Sequence, residues 1–181
     1  PRPFAVGRDC CGTVEEALPG GRFAAGDPVV LLSSDVGVSR DGTLAEFVAV
    51  PEACLAPLPA GWTPVEGAAA PLVYLTAWQA LVDRGGLTAG ETVVISGASG
   101  GVGIAAIQLA KALGGRVVAL SRSEEKRAAL ARIGADIVLD STIDGLAERI
   151  RDALDGGRAD VVVDSLGGDV LNPLLHVAGY G

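Results

Sequence analysis

The β-branched run Thr92 to Ser96 leads straight into Gly97-Ala98-Ser99-Gly100-Gly101-Val102-Gly103, and helical spacing begins within that turn. The pattern is GxGxxG with Ala98 in the place of the first glycine. At Gly100 the absent side chain lets the backbone come close to a pyrophosphate. At Gly103 it lets the helix lie close against the strand. The helix start offers amides without intrahelical acceptors and a partial positive charge, and both attract phosphate. A tight βα turn that binds nothing would use some of the same glycines. The strand before, the helix after and a second strand beyond are the setting in which the turn marks a dinucleotide site. Ala98, Ser99, Gly100, Gly101, Val102 and Gly103 are therefore candidate cofactor contacts.

The residues that follow keep alternating between strand and helix patterns. Val102, Ala105, Ala106, Leu109 and Leu113 form one helical stripe, closed by Gly114-Gly115. Arg116–Leu120 reads as the next strand, Glu124–Ile133 as a helix ended by Gly134, and Ile137–Leu139 as a third strand. Leu146, Ile150 and Leu154 mark another helix, Asp160–Asp164 a fourth strand, and Val170–Val177 a helix with Pro173 in its first turn. This alternation implies an α/β fold: a doubly wound parallel sheet of the Rossmann type, with strands such as Val161-Val162-Val163 buried on both faces. Upstream the texture differs. Residues 1–64 are rich in Gly and Pro, with short β-like runs at Val29–Leu32 and Leu44–Val50. Glu66–Val82 reads as a helix interrupted at Pro71. The domains expected are 1–64, an irregular β unit, and 65–181, the Rossmann unit. The chain opens on Pro1-Arg2-Pro3, contains no Met, and stops at Gly179-Tyr180-Gly181, which reads as a turn into a further strand. It is expected to be incomplete at both ends.

The second strand distinguishes the cofactors. An NAD site places Asp or Glu about 20 residues beyond the glycines, on the ribose hydroxyl. Here that strand ends Leu120-Ser121-Arg122-Ser123, with no acid at its tip. Arg122 and Lys126, one helical turn further, offer positive charge, and Ser121 and Ser123 offer hydroxyls. These groups suit the 2′-phosphate of NADPH. The alternative is that Glu124 to Arg127 is merely a solvated helix start. A net charge of −8 disfavours nucleic acid and anionic membrane surfaces. No apolar run approaches the roughly 20 residues that span a bilayer. Three cysteines, two of them adjacent, make no disulfide framework, so a reducing cytoplasm is expected.

The blocks GRDCCGTV, GDPVVLL, GTLAEFVAVP, LTAWQAL, SGASGGVGIAAIQLAKALG, SEEKRA and DVVVDSLGG occur in that order. Together they resemble the medium-chain dehydrogenase/reductase superfamily, and within it the zinc-free quinone oxidoreductase group with its enoyl-reductase relatives. The resemblance implies a partial GroES-like catalytic domain over 1–64 and a Rossmann domain over 65–181 lacking its last strands. It matches cofactor contacts to Thr76, to Ser99–Val102, to the stretch Ser121–Lys126, and to Ser165, Leu166 and Gly167 beside the nicotinamide ribose. Ser141 stands where some relatives have a phosphate-binding Tyr. Family helices carry one more residue, often Met, between Ala70 and Pro71. Zinc relatives have a His ligand where this chain has Arg8, and Leu32–Gly42 lacks the cysteines of their structural lobe. With His176 the only His, no metal is expected. Cys10 and Cys11 read as small buried apolar groups.

The activity implied is hydride transfer from NADPH to a quinone or a related conjugated carbonyl, a small-molecule electron acceptor such as an enone. A quinone needs little acid catalysis. Reduction of an enoyl thioester, the alternative, needs a proton donor. Tyr74 is the one candidate for that role, against the plainer reading that it packs at the domain junction. A non-catalytic NADPH-binding protein is the alternative from another class. Relatives imply a possible homodimer. Trp62 is expected in the interdomain linker and Trp78 in the helix core, with His176 partly exposed on the last helix. Asp164, at a strand's C-terminal end, is either structural or a ribose contact.

Overall fold

The computed structural model describes residues 5–32 and 34–179. The terminal turn expected at Tyr180-Gly181 lies outside them. The chain falls into two compact units, Pro1–Leu75 and Thr76–Gly181.

In the first unit three short strands, β1 (Cys11–Thr13), β2 (Pro28–Leu31) and β3 (Leu55–Pro57), pair antiparallel in that order. Val30 lies opposite Cys11 on one side and Ala56 on the other. Val29, Val30 and Leu31 are buried as this central position requires. Helix α1 (Pro64–Ala69) starts on a capping box: Thr63 Oγ1 accepts from the Glu66 amide and Glu66 Oε2 accepts from the Thr63 amide. A Cβ on Gly67 would fall 2.5 Å from Leu58 Cδ1 and 2.9 Å from Cys11 Sγ. This close approach seats α1 on the small sheet. It is also why the first unit runs past residue 64, where the sequence texture changes, and into the next helix.

Helix α2 (Pro71–Trp78) begins immediately, and Gln79–Arg84 widens into a π-type turn closed by the Gly85 amide on Ala80 O. The single helix read over Glu66–Val82 is thus three pieces. Pro71 lacks an N–H, but Ala70 stays in the right-handed helical region and accepts from Tyr74, so the course bends without unravelling. Trp78 is 43% exposed and is not in the core. The buried positions of this stretch are Ala77 and Leu81, and one residue beyond Ala77 the helix has turned about 100° off that face. Leu44–Val50 is not a strand. The amides of Thr43 and Leu44 bond to Gly7 and Val6, but among the described residues no ladder continues, and Leu44 and Phe47 are exposed.

The second unit is a parallel sheet of β4 (Thr92–Ile95), β5 (Arg116–Leu120), β6 (Ile137–Leu139) and β7 (Val161–Val163), ordered β6-β5-β4-β7. The order reverses at β4, so the C-terminal ends of β4, β5 and β7 open onto the crevice where such sheets bind ligands. Helices α3 (Gly101–Ala112), α4 (Glu124–Arg132), α5 (Leu146–Ala153) and α6 (Leu171–Val177) alternate with the strands. Val94, Val118 and Leu120 pack with Leu146, Ile150, Leu174 and Val177 of α5 and α6. Val93, Ile95, Val117 and Ala119 point the other way by strand alternation and are equally buried. Ala105, Ala106, Ile107 and Ala110 bury α3 against β4 and β5. Each fully buried aliphatic side chain of this double-sided core contributes about 1.5–3 kcal/mol. No helix among the described residues is long and apolar enough to cross a membrane.

Asp136 ties this unit together at the N-terminal end of the strands. It receives Lys111 Nζ of α3 at 2.8 Å and the Val117 amide of β5 at 2.7 Å. Burial pushes its carboxyl up, but the Lys111 and Val117 hydrogen bonds outweigh that and hold it below the ordinary range. Its stabilisation is therefore full above the unfolded value of about 4 and is lost as pH falls through the lower folded value. The melting temperature of the Asp136→Asn variant should fall less between pH 5 and pH 3 than that of the parent. Parallel curves would show that Asp136 carries none of the acid sensitivity.

Candidate nucleotide-binding site

The turn after β4 is held from three sides. The Ser96 amide donates to Val163 O of β7, the Ala98 amide to Leu120 O of β5, and the Gly100 amide back to Gly97 O. Gly97 sits at φ +57°, in the left-handed region, and a Cβ there would lie 2.4 Å from Ser165 Oγ. A Cβ on Gly103 would lie 2.6 Å from Ala98 Cα, so the helix–strand approach read from the sequence is present. Gly100 is the N-cap of α3 and supplies no side chain to the first-turn amides. Those amides have no side-chain cap and leave a partial positive charge at the helix end, beside the buried Ala98.

A cleft of about 400 Å³ lies beside this turn. Ser99, Ser121, Arg122, Ser123, Lys126, Ser141 and Leu166, all singled out from the sequence, line it together. Gly97 and Leu120 line it too and were not singled out as contacts. The φ of Gly97 was not readable from a Gly-rich string, and Leu120 passed as an ordinary strand residue. Ser121 and Ser141 are buried. Ser123 has a second duty: its hydroxyl accepts from the Lys126 amide and caps α4. Arg122 and Lys126 are exposed, and among the described residues neither side chain forms an ion pair. Asp140, the nearby carboxylate, is engaged by Arg127 and Thr142. The cleft therefore sets two uncompensated cations and two buried hydroxyls beside the turn that leads into α3, a donor set that fits a phosphorylated dinucleotide.

On the far side, Ser96 Oγ donates to Asp164 and accepts from the Ser165 amide at 3.1 Å. Asp164 also accepts from the amides of Leu166 at 3.1 Å and Gly167 at 2.9 Å. Burial raises the Asp164 carboxyl, and the Ser96, Leu166 and Gly167 donors more than offset it, leaving the group lowered. Asp164 thus acts as the clasp of the Ser165–Gly167 loop. Ala98, Gly100, Gly101, Val102 and Gly103 do not line the cleft, Gly101 and Val102 forming the first turn of α3, and Ser165 and Gly167 flank Leu166 without lining it. Thr76 is exposed on α2 and does not line the cleft either. Tyr74 belongs to the first unit, half-buried, and lines a separate hollow with Trp62, Glu66, Ala69 and Ala70. Cys10, Cys11 and Cys54 are free and only partly buried, short of the full burial expected for the first two. Among the described residues no three His, Cys, Asp or Glu side chains converge as a metal site. His176 is exposed, its ring bonded to Asn172 O.

Fold and site together define a nucleotide-binding unit of the oxidoreductase kind. Residues 101–181 match the family described as zinc-binding dehydrogenase. The spectinabilin polyketide synthase system protein NorB of Streptomyces orinoci is 40% identical over 181 residues, 98% of this chain and 8% of that protein. The mitochondrial NAD(P)H oxidoreductase RTN4IP1 of Mus musculus is 36% identical over 171 residues, 92% of this chain and 41% of that protein. Among solved structures, an NAD-dependent alcohol dehydrogenase superimposes with a TM-score of 0.93 at 36% identity, covering 98% of this chain and 58% of its own. The CurK enoyl reductase does so with a TM-score of 0.86 at 30% identity, covering 97% of this chain and 51% of its own. This chain belongs to the medium-chain dehydrogenase/reductase superfamily. It spans less than two thirds of the length of each of these relatives.

Proposed function

We propose that the chain is the nucleotide-binding part of an NADPH-dependent, zinc-independent reductase whose acceptor is an enoyl thioester. The observation that carries the cofactor is the cleft wall: Arg122 and Lys126 stand uncompensated at the end of the second strand, where an NAD site would place an acid. Zinc-independence rests on Arg8 standing where zinc relatives have a His ligand. The acceptor rests on similarity to a polyketide synthase protein across nearly the whole chain and to an enoyl reductase structure. When bound, the reduced nicotinamide supplies a hydride to the electron-poor carbon of a conjugated acceptor. The chain's own residues do the placing. The turn Gly97 to Gly103 would hold the pyrophosphate, Arg122 and Lys126 the 2′-phosphate, and the clasped loop Ser165–Gly167 the ribose of the nicotinamide. An enoyl thioester also needs a proton at its α-carbon; Tyr74, the one candidate donor read from the sequence, lines a separate hollow of the first unit and not the cleft. A quinone is the second reading, favoured by the sequence blocks shared with the quinone oxidoreductase group. It dispenses with that donor.

The test uses the full-length protein. NADPH should bind at least about tenfold tighter than NADH in a Trp-fluorescence titration. Arg122→Ala should weaken NADPH by about 10–100-fold, one or two charge-assisted hydrogen bonds, and leave NADH unchanged. Faster NADPH oxidation with an enoyl thioester than with a quinone supports the acceptor, and the reverse order supports the second reading. Equal affinity for both nucleotides would overturn the cofactor assignment.

A further inference from the structure

We infer that Arg127 and Asp140 form a brace that sets the discrimination between NADPH and NADH, although neither side chain lines the cleft. The inference deepens the NADPH reading and rests on it. Three basic residues follow one another near the end of β5: Arg122, Lys126 and Arg127. The first two are open. Arg127 is consumed inside the protein, with its side chain 24% exposed. Its Nη1 donates to Ser121 O at 2.9 Å, to Arg122 O at 2.9 Å and to Asp140 Oδ2 at 2.8 Å. The other oxygen of Asp140 accepts from the Thr142 amide at 2.8 Å and the Thr142 hydroxyl at 2.6 Å. One guanidinium end therefore ties two cleft segments together. The Ser121-Arg122 backbone leaves β5, and the Asp140–Thr142 turn, which carries buried Ser141, leaves β6.

The consequence for recognition follows from entropy. Arg122 is a long side chain with several rotors, and its hold on a phosphate depends on a backbone that is already placed. The brace fixes both peptide groups flanking the Arg122 Cα side of the loop without occupying the Arg122 guanidinium itself. It also neutralises Asp140, which would otherwise set a free carboxylate beside the phosphate position and oppose it. Both effects act on the 2′-phosphate. NADH lacks that group and does not draw on Arg122, so loosening the brace weakens NADPH selectively. A pair that only stabilised the fold would weaken both nucleotides alike or neither.

The experiment measures dissociation constants of NADPH and NADH for the full-length protein and for Arg127→Ala, Arg127→Lys and Asp140→Asn, with a melting temperature for each. Arg127→Ala should lower the NADPH-over-NADH preference by about tenfold, with NADH affinity changed less than about twofold. Arg127→Lys keeps a charge for Asp140 but loses the fork to two carbonyls, and should recover only part. If Arg127→Ala fails to fold, Arg127→Lys carries the test, since it keeps the charge for Asp140 and loses the fork. Asp140→Asn removes the carboxylate while Arg127 keeps both carbonyls, so its preference should fall less than that of Arg127→Ala. A parent protein that prefers NADPH, with Arg127 variants that keep the preference or lose both nucleotides equally, overturns the brace and leaves the NADPH reading standing. A parent protein without preference overturns both.

Discussion

Gly103→Val should abolish nucleotide binding and lower the melting temperature more than any other single change in the turn. The atoms a side chain would meet are backbone: Ala98 Cα, Ala98 O and Gly97 O, each 2.6 Å from the position of a Cβ. No rotamer change relieves such a contact. The helix must move off the strand, which carries α3 away from the turn whose amides it presents. Overpacking a buried contact costs about 1–3 kcal/mol for added methylenes, and a branched side chain against rigid backbone lies at or beyond the upper end. For a unit of roughly 100 residues that is a drop of about 12 °C or more. Gly100→Ala supplies the contrast. Its Cβ meets only Gly97 O, at 3.3 Å, and its backbone is extended, so the fold should survive. Nucleotide affinity should nevertheless fall, because the added methyl stands where the pyrophosphate must approach. Calorimetric melting and NADPH titration of both variants test the pair. A Gly103→Val protein that melts with the parent would mean that α3 does not rest on the turn as described.

The turn was legible because Gly103 answers to a backbone contact that no other residue permits, and Gly100 to the close approach a pyrophosphate needs, and such requirements leave a fixed spacing in the chain. The four parallel strands were legible for a related reason: burial on both faces forces unbroken apolar runs such as Val161-Val162-Val163. Where the deciding fact is a partner rather than a local pattern, the sequence misled. Leu44–Val50 has the right residues for a strand, but a strand exists only where a ladder continues, and composition does not reveal the neighbour. Trp78 reads as core within an apolar helix, and its position one residue past Ala77 put it on the open side. The brace was hidden most completely. Arg127 sits in a charged run that reads as a solvated helix start, and Asp140 lies just past the strand read over Ile137–Leu139. Only the parallel register of β5 and β6, with Leu120 opposite Leu139, brings their loops together. The function of Asp164 was left between two roles, and its hydrogen bonds show the structural one in place.

Asp164→Ala is the second large effect expected, and it separates holding the loop from touching the nucleotide. The carboxylate accepts from a hydroxyl on β4 and from two successive amides of its own loop. Removing it strands Ser96 Oγ, which belongs to a residue only 1% exposed, as well as the Leu166 and Gly167 amides. Each buried donor left without an acceptor costs about 1–3 kcal/mol. Asp164 and its loop are partly open to water, which can replace the loop acceptors, so about 2 kcal/mol in total is expected, arising mainly at Ser96. Asp164→Asn recovers only part of this, because its amide nitrogen would face a backbone N–H where the second carboxylate oxygen stood. The loop carries Leu166 into the cleft wall, so nucleotide affinity should fall in the same order as stability, Ala below Asn below parent. NADPH and NADH should weaken together, since the residues proposed to hold the 2′-phosphate are Arg122 and Lys126, not this loop. That pattern is the inverse of the one expected for Arg127. A selective loss of NADPH in Asp164→Ala, or a melting temperature equal to the parent's, would show that the clasp does not hold the loop against which the common part of both nucleotides rests.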